Sequence, residues 1–308
     1  MNIVFMGSAD FGIPALTALM SNHRIAGVVT TPAKAQGRGL KLSESPIALF
    51  AQKHGLSPVF KPESLKSEEL YNQLASLKAD LFVVVAFRIL PRTLFSLPPL
   101  GTINIHASLL PKYRGPAPIH RAIEAGEHET GVTIFKIDEG IDTGEILLQS
   151  TLQIEQNETT PELYERLSVC GAAMLIDAIG KLESGIHDMM IQENLLSCKA
   201  LKLTKDEAHI DWNMSAESIF NKIRAFKPFP GTFCFLDGKR LGIDWAVVAD
   251  NSGTGNAGRI IEIEASYFDV FCNPGVLRIM RVKPEGRKVM SVHDFLLGSH
   301  LMEGIILK

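Results

Sequence analysis

Cysteine is scarce and scattered in this chain. Cys170, Cys198, Cys234 and Cys272 form no C-x-x-C pair and have no nearby histidine at ligand spacing, so a sequence-local zinc site is excluded and reduced structural thiols are expected. An excess of one charge is also missing. With 31 basic against 34 acidic side chains the formal net charge is -3, and any basic surface for nucleic acid has to be local. No apolar run approaches the length of a membrane span. The opening MNIVFMG enters a strand directly, without a basic region ahead of an apolar one, so no secretory signal is expected and the expected setting is soluble and cytoplasmic. The first glycine-bearing loop, GSADFG, lacks the central glycine of G-x-G-x-x-G and the Gly-Lys-Ser/Thr of a P-loop. That argues against a nucleotide-phosphate role there.

What is present is enough apolar material for two cores: 308 residues, 46% of them hydrophobic. Up to residue 185, strand-like runs (2–6, 24–30, 58–60, within 79–87, 102–106, 131–137, 147–154) alternate with helical ones (14–20, 46–54, 67–78, 118–125, 160–184). The alternation predicts an α/β domain, doubly wound around a mainly parallel, Rossmann-like sheet. Its stretch ADLFVVVAF reads as a strand buried on both faces, and the Arg88-Ile89-Leu90-Pro91 that follows falls at the carboxyl edge where such sheets bind ligands. Residues 186–202 lapse into a linker. From 203 to 308 a helix (216–226) and five short strands (229–236, 239–248, 258–264, 267–272, 276–283) predict a small C-terminal OB-like β-barrel.

The chemistry concentrates in GTINIHASLLPKYRGP (101–116) and DEGIDTGE (138–145). Asn104 and His106 stand two apart, so on an extended segment they project from one face. An isolated Asn-x-His is most often a strand end satisfied by backbone; the later arrival of Asp142 in a glycine-flanked loop favours catalysis instead. His106 can relay a proton near neutral pH. Asn104 can donate to an oxyanion, and Asp142 can orient the imidazole and stabilise its charged form. No Ser or Cys nucleophile motif accompanies the three, so direct acyl transfer to an amine is expected rather than a covalent intermediate. Elsewhere, TPAKAQGRGLKLS (31–43) carries Lys34, Arg38 and Lys41 without an acid, and 278–288 holds Arg278, Arg281, Lys283, Arg287 and Lys288 against Glu285 alone. Each can meet phosphate or be an ordinary solvated surface.

The run NIHASLLPKYRG followed by DEGIDTGE resembles the folate-dependent formyltransferases, which move a formyl group from 10-formyltetrahydrofolate to an amine. The first 185 residues resemble the catalytic domain shared by members acting on glycinamide ribonucleotide and on sugar nucleotides. LTKDEAHIDWNMSAESIFNKIRAFKPFPGTF and RVKPEGRKVMSVHDFLLG resemble the C-terminal domain of members that formylate methionyl initiator tRNA for translation initiation. The resemblance implies 10-formyltetrahydrofolate as formyl donor, no metal, and methionyl initiator tRNA as partner. It implies a pterin site on the backbone of Arg88, Ile89 and Leu90, with Ser108, Leu109, Leu110 and Pro111 as a further wall; the pterin is expected to lie against the loop Asp138, Glu139 and Gly140 as well. Arg38, with Lys41 beside it, becomes the candidate tRNA contact. One departure stands out: Phe87-Arg88-Ile89-Leu90-Pro91 is one residue shorter than the corresponding segment of the tRNA-formylating members. Two alternatives remain at this point, a formyltransferase for a small amine such as a nucleotide sugar, and a non-catalytic RNA-binding relative. A monomer is the default expectation, because no exposed coiled coil or apolar stripe is left over.

Overall fold

The computed structural model describes residues 1–36, 41–185 and 188–308, and the chain divides into two compact units. Unit 1 comprises Met1–Pro118, Glu129–Gln153 and Tyr164–Ala200; unit 2 comprises Ile119–His128, Ile154–Leu163 and Leu201–Lys308. Residues 188–200, expected as linker, therefore fold with unit 1. Met190 bridges to Ile146 and Lys199 to Arg114 through the backbone. Hydrogen bonding rather than a buried apolar face holds this stretch, which is why it gives no periodic signal.

The chain begins with β1 (Asn2–Gly7), α1 (Ile13–Asn22), β2 (Arg24–Val29), β3 (Lys34–Gln36), β4 (Lys41–Ser43), α2 (Pro46–Lys53), β5 (Val59–Phe60) and α3 (Glu68–Ser76). It continues through β6 (Leu81–Val85), α4 (Arg92–Phe95), β7 (Thr102–His106), α5 (Pro118–Glu124), β8 (Glu129–Lys136), β9 (Ile146–Gln153) and α6 (Thr160–Glu183). Local chemistry explains several starts. Ser45 caps α2 by accepting from Ala48 N at 3.0 Å with Pro46 in the first turn, and Ser67 caps α3. Every residue of β6 is buried, as its unbroken apolar run requires. Within the basic stretch 31–43, β3 and β4 pair antiparallel with Lys34 opposite Ser43.

The sheet of unit 1 runs β5-β2-β1-β6-β7-β8-β9. Its first five strands are parallel; β8 and β9 are antiparallel additions. From β1 the chain winds outward through β2 to β5, then crosses to β6 and winds the other way to β7. The order reverses between β1 and β6, and a doubly wound sheet binds its ligands beyond the carboxyl ends at such a reversal.

Unit 2 contains α7 (Ala216–Ala225), β10 (Phe233–Leu236), β11 (Lys239–Asp250), β12 (Ile260–Glu264), β13 (Tyr267–Phe271), β14 (Val276–Pro284), β15 (Met290–Ser291) and α8 (Val292–Leu296). Its antiparallel sheet runs β10-β11-β14-β13-β12, with β15 against β14. Residues 304–308 join the two edges. Ile260 N donates to Ile305 O at 2.8 Å and Leu307 N to Gly258 O at 2.8 Å, while Lys308 N donates to Phe235 O at 3.0 Å. This last segment turns an open sheet into a closed one, and β11 bends through register shifts at Ile243/Trp245 and Val248/Asp250. Leu241, Ile243, Phe268, Val270, Leu277 and Ile279 fill the core with Ile219 and Ile223 of α7. Cys234 and Cys272 lie in it fully buried, and burial pushes both thiols up to about 12, which keeps them inert.

Candidate active site

Strand β7 sets the centre. Ile103 and Ile105 are buried, and on the Ile105 side helix α6 packs so closely that a Cβ at Gly171 would sit 2.8 Å from Ile105 Cγ2. Alternation turns Asn104 and His106 to the other face. His106, 6% exposed, has Nε2 2.9 Å from the Tyr113 carbonyl and Nδ1 3.6 Å from Asp142 Oδ2. A carbonyl can only accept, so Nε2 keeps its proton and Nδ1 is the basic nitrogen, facing the carboxylate. The ring stands edge-on to Phe135, centroids 6.5 Å apart. Asn104 Oδ1 is buried with no hydrogen-bond partner. Buried polar atoms are nearly always satisfied, so an orphaned amide oxygen two residues from His106 marks a place that a ligand group or water completes.

Asp142 arrives by an indirect route. Because β8 runs antiparallel to β7, the chain leaves it beside Thr102, whose carbonyl accepts from Ile137 N at 2.8 Å, at the opposite end of β7 from His106. Loop 138–144 then doubles back. Asp138 Oδ1 accepts from Gly140 N at 2.9 Å and from Thr143 Oγ1 at 2.7 Å, an Asx turn. A Cβ on Gly144 would overlap the Lys136 carbonyl, so this return needs glycine. Asp142 itself adopts φ 55°, and its Oδ2 accepts from Gly115 N at 2.8 Å. Tyr113 at φ 60° and Ala86 at φ 47° share the left-handed region, each at a cost of about 1–2 kcal/mol. Strain of this kind gathers where a fold holds functional groups in place.

The expected pterin-facing residues divide into two sets. Asp138, Glu139 and Gly140 are exposed, as is Ile89 at 75%, while Leu90 is buried. Arg88 turns its side chain away from ligand duty: Nη1 and Nη2 donate to the carbonyls of Glu63 and Pro62 at 3.0 and 2.8 Å. Ser108 and Leu110 are buried too, and their polar groups are already used. Thr133 Oγ1 donates to Ser108 O at 2.6 Å and accepts from Leu110 N at 3.1 Å; Gln149 Nε2 donates to Leu110 O at 2.7 Å. Ser108 Oγ donates to Lys112 O at 2.7 Å. Leu109 and Pro111 are half-buried. The structure thus brings His106 and Asp142 together with Asn104 on the same face of β7 as His106, leaves 89 and 138–140 open, and uses Ser108 and Leu110 as support from within. Of the candidate tRNA contacts, Lys41 lies on β4 and Arg38 lies outside the described residues.

Residues 1–179 match the family described as formyl transferase, and residues 202–300 match the formyl transferase C-terminal domain. The chain belongs to the formyl transferase family. It is 42% identical over 302 residues to the methionyl-tRNA formyltransferase of Pseudoalteromonas translucida (strain TAC 125), covering 97% of this chain and 94% of that protein. The methionyl-tRNA formyltransferase of Moorella thermoacetica is 40% identical over 309 residues, covering 100% and 99%. Among solved structures, the sugar 3N-formyl transferase WlaRD superposes with a TM-score of 0.66 at 20% identity, over 94% of this chain and 99% of that one. HypX from Aquifex aeolicus, crystallised in complex with tetrahydrofolic acid, gives 0.64 at 17% identity over 97% of this chain, which spans 47% of HypX. At these identities the likeness is one of fold.

In this formyl transferase the basic stripe of unit 2 is smaller than its sequence suggests. Arg278 forms a two-pronged pair with buried Asp269, Nε to Oδ1 at 2.9 Å and Nη2 to Oδ2 at 2.8 Å, and lies over the Tyr267 ring. Lys283 instead lines a cavity of about 590 Å³ with Lys227 and Arg240, and Arg287 and Lys288 are exposed. Among the described residues no helix is long and apolar enough to cross a membrane, and no group of three or more His, Cys, Asp or Glu could hold a metal ion. Sequence reasoning missed Tyr113, Thr133, Arg114 and Gln192, all of which shape the site. Tyr113 and Arg114 stood inside the quoted motif, whereas Thr133 and Gln192 carry no local signal.

Proposed function

We propose that this chain transfers the formyl group of 10-formyltetrahydrofolate to the α-amino group of methionyl initiator tRNA, acting as a monomer in the cytoplasm. The observation that carries the chemistry is the meeting of His106 Nδ1 and Asp142 Oδ2, 3.6 Å apart, beside the unsatisfied Asn104 amide. The choice of tRNA over a small amine rests on 40–42% identity to methionyl-tRNA formyltransferases along almost the whole chain.

The neutral amine attacks the formyl carbon, forming a C–N bond and an oxyanion. A terminal amide offers both a donor and an acceptor, so Asn104 can turn its NH₂ to that oxyanion. His106 Nδ1 takes the proton the amine sheds, Asp142 stabilises the resulting imidazolium, and the Tyr113 carbonyl holds the ring through Nε2. The proton is then returned to the folate nitrogen as its bond to carbon breaks, releasing tetrahydrofolate. The open backbone of 138–140 and the exposed Ile89 suit the polar edge and flat face of a pterin. Arg38 and Lys41 are proposed contacts to tRNA phosphates.

The test is transfer of labelled formyl to methionyl initiator tRNA, run beside methionyl elongator tRNA and a small amine. Selective labelling of the initiator is expected; labelling of the small amine alone would overturn the tRNA reading. Asn104→Ala or His106→Ala should lower turnover by about a hundredfold to a thousandfold with the fold retained.

A further inference from the structure

Residues 188–200 run back along unit 1, and one side chain in them faces the catalytic loop. Gln192 is 6% exposed. Its Nε2 donates to the carbonyls of Asp142 at 3.0 Å and Gly144 at 2.7 Å, using both amide hydrogens on the loop that carries the carboxylate. Its Oε1 accepts from Arg114 Nε at 3.1 Å and Nη2 at 2.7 Å, and Arg114 Nη1 donates on to Asn194 Oδ1 at 2.9 Å. Arg114 is also joined through its backbone to this segment, and the next residue, Gly115, gives its N–H to Asp142 Oδ2. The main chain of Asp142 is therefore gripped from one side and its carboxylate from the other. Asp142 adopts a left-handed conformation that surrounding structure has to impose.

We infer that Gln192, held by Arg114, is a positioning residue for the reaction: it fixes the backbone of loop 142–144 so that the Asp142 carboxylate stays facing His106. The inference rests on the catalytic role proposed above for Asp142. A segment that reads as a linker thereby completes the active site. Both ends of the Gln192 amide are already engaged, by the loop carbonyls and by Arg114, so its effect belongs to turnover rather than to binding.

The deciding variant is Gln192→Glu. A carboxylate keeps a partner for Arg114 but cannot donate to the two carbonyls. In the full-length protein, kcat should fall about tenfold to a hundredfold, the scale on which misplacing a reacting group acts, with KM for both substrates within about threefold. The same substitution in an Asp142→Ala background should add little, because both changes remove one function. Arg114→Lys, which loosens Gln192 and leaves Asp142 unaltered, should give the same split in smaller measure, and it decides the question if Gln192→Glu does not fold. Unchanged turnover, a loss confined to KM, or an equal loss in both backgrounds would overturn the inference. If Asp142→Ala loses turnover while Gln192→Glu does not, only this inference falls. If Asp142→Ala itself retains turnover, the catalytic reading of that residue falls and takes this one with it.

Discussion

Thr133→Val tests whether the site is held from behind. Thr133 is fully buried on β8, and its hydroxyl is the hub on which the turn after His106 hangs: it gives a proton to Ser108 O and accepts from Leu110 N and Gln149 Nε2. Valine keeps the shape and removes the hub. Ser108 O and Leu110 N are then left without partners in the interior, and each orphaned group costs about 1–3 kcal/mol, so the sum is roughly 2–6 kcal/mol. At about 2–4 °C per kcal/mol for a unit of this size, a mid-range loss of about 4 kcal/mol lowers the thermal midpoint by roughly 8–16 °C. Calorimetry of the two proteins measures this, and formyl transfer should weaken alongside because the turn leads directly from His106. Thr133→Ser is the control, since it restores the hydroxyl at the expense of one methyl group. A midpoint within about 2 °C of the parent for the valine variant would refute the reasoning, for the turn would then not depend on that hydroxyl.

Further outcomes follow from charge. Burial, with Arg121 beside it, lowers the pKa of His120 below its ordinary 6.5. The unfolded chain then binds more protons between the two values, so stability present above pH 6.5 is lost as pH falls through that window. His120→Gln should flatten the pH dependence of the thermal midpoint there, and an unchanged slope would remove His120 from the account. Arg278→Ala leaves Asp269 without its partner and should destabilise unit 2 by about 1–3 kcal/mol, with no change in the salt dependence of tRNA binding. Lys283→Ala should do the reverse, sparing stability and reducing the salt slope by roughly one. Filter binding across a salt series separates the two.

What could be read from the sequence was whatever a period or a short motif encodes. The apolar run of β6 announces a doubly buried strand, and the two-residue spacing of Asn104 and His106 puts both on one face, because strand alternation is a property of neighbours. The position of Asp142 has another origin. Its loop starts at the far end of β7 and crosses back, so only the antiparallel placement of β8, a property of the whole sheet, sets how far it must reach. Gln192 was hidden for a related reason: a buried polar residue in a backbone-paired segment has neither period nor composition to mark it. The charge of Arg278 was visible, but its neutralisation by Asp269 on the adjacent strand depends on register. Closure of the barrel by residues 304–308 is likewise a contact between elements distant in sequence.

The segment after β6, expected from its resemblance to be one residue shorter than in the tRNA-formylating members, is held in place by two features. The chain turns immediately, at Ala86 with φ 47°, and Ser8 Oγ donates to the Ala86 carbonyl at 3.0 Å. Two residues on, Arg88 ties the segment to the carbonyls of Pro62 and Glu63 and stacks over Phe87, 5.3 Å from the ring centroid. If the Arg88 ties set the path of 88–90, the left-handed turn at Ala86 is a cost that the segment bears rather than its cause. Glycine removes a penalty of about 1–2 kcal/mol and adds about 0.5–1 kcal/mol of unfolded-state entropy. Ala86→Gly should therefore be neutral to stabilising by about 1 kcal/mol, with KM for the folate donor unchanged, whereas Arg88→Ala should raise that KM. A raised folate KM in the glycine variant alone would reverse the assignment, making the turn, and not the arginine, the device that sets the path of the segment.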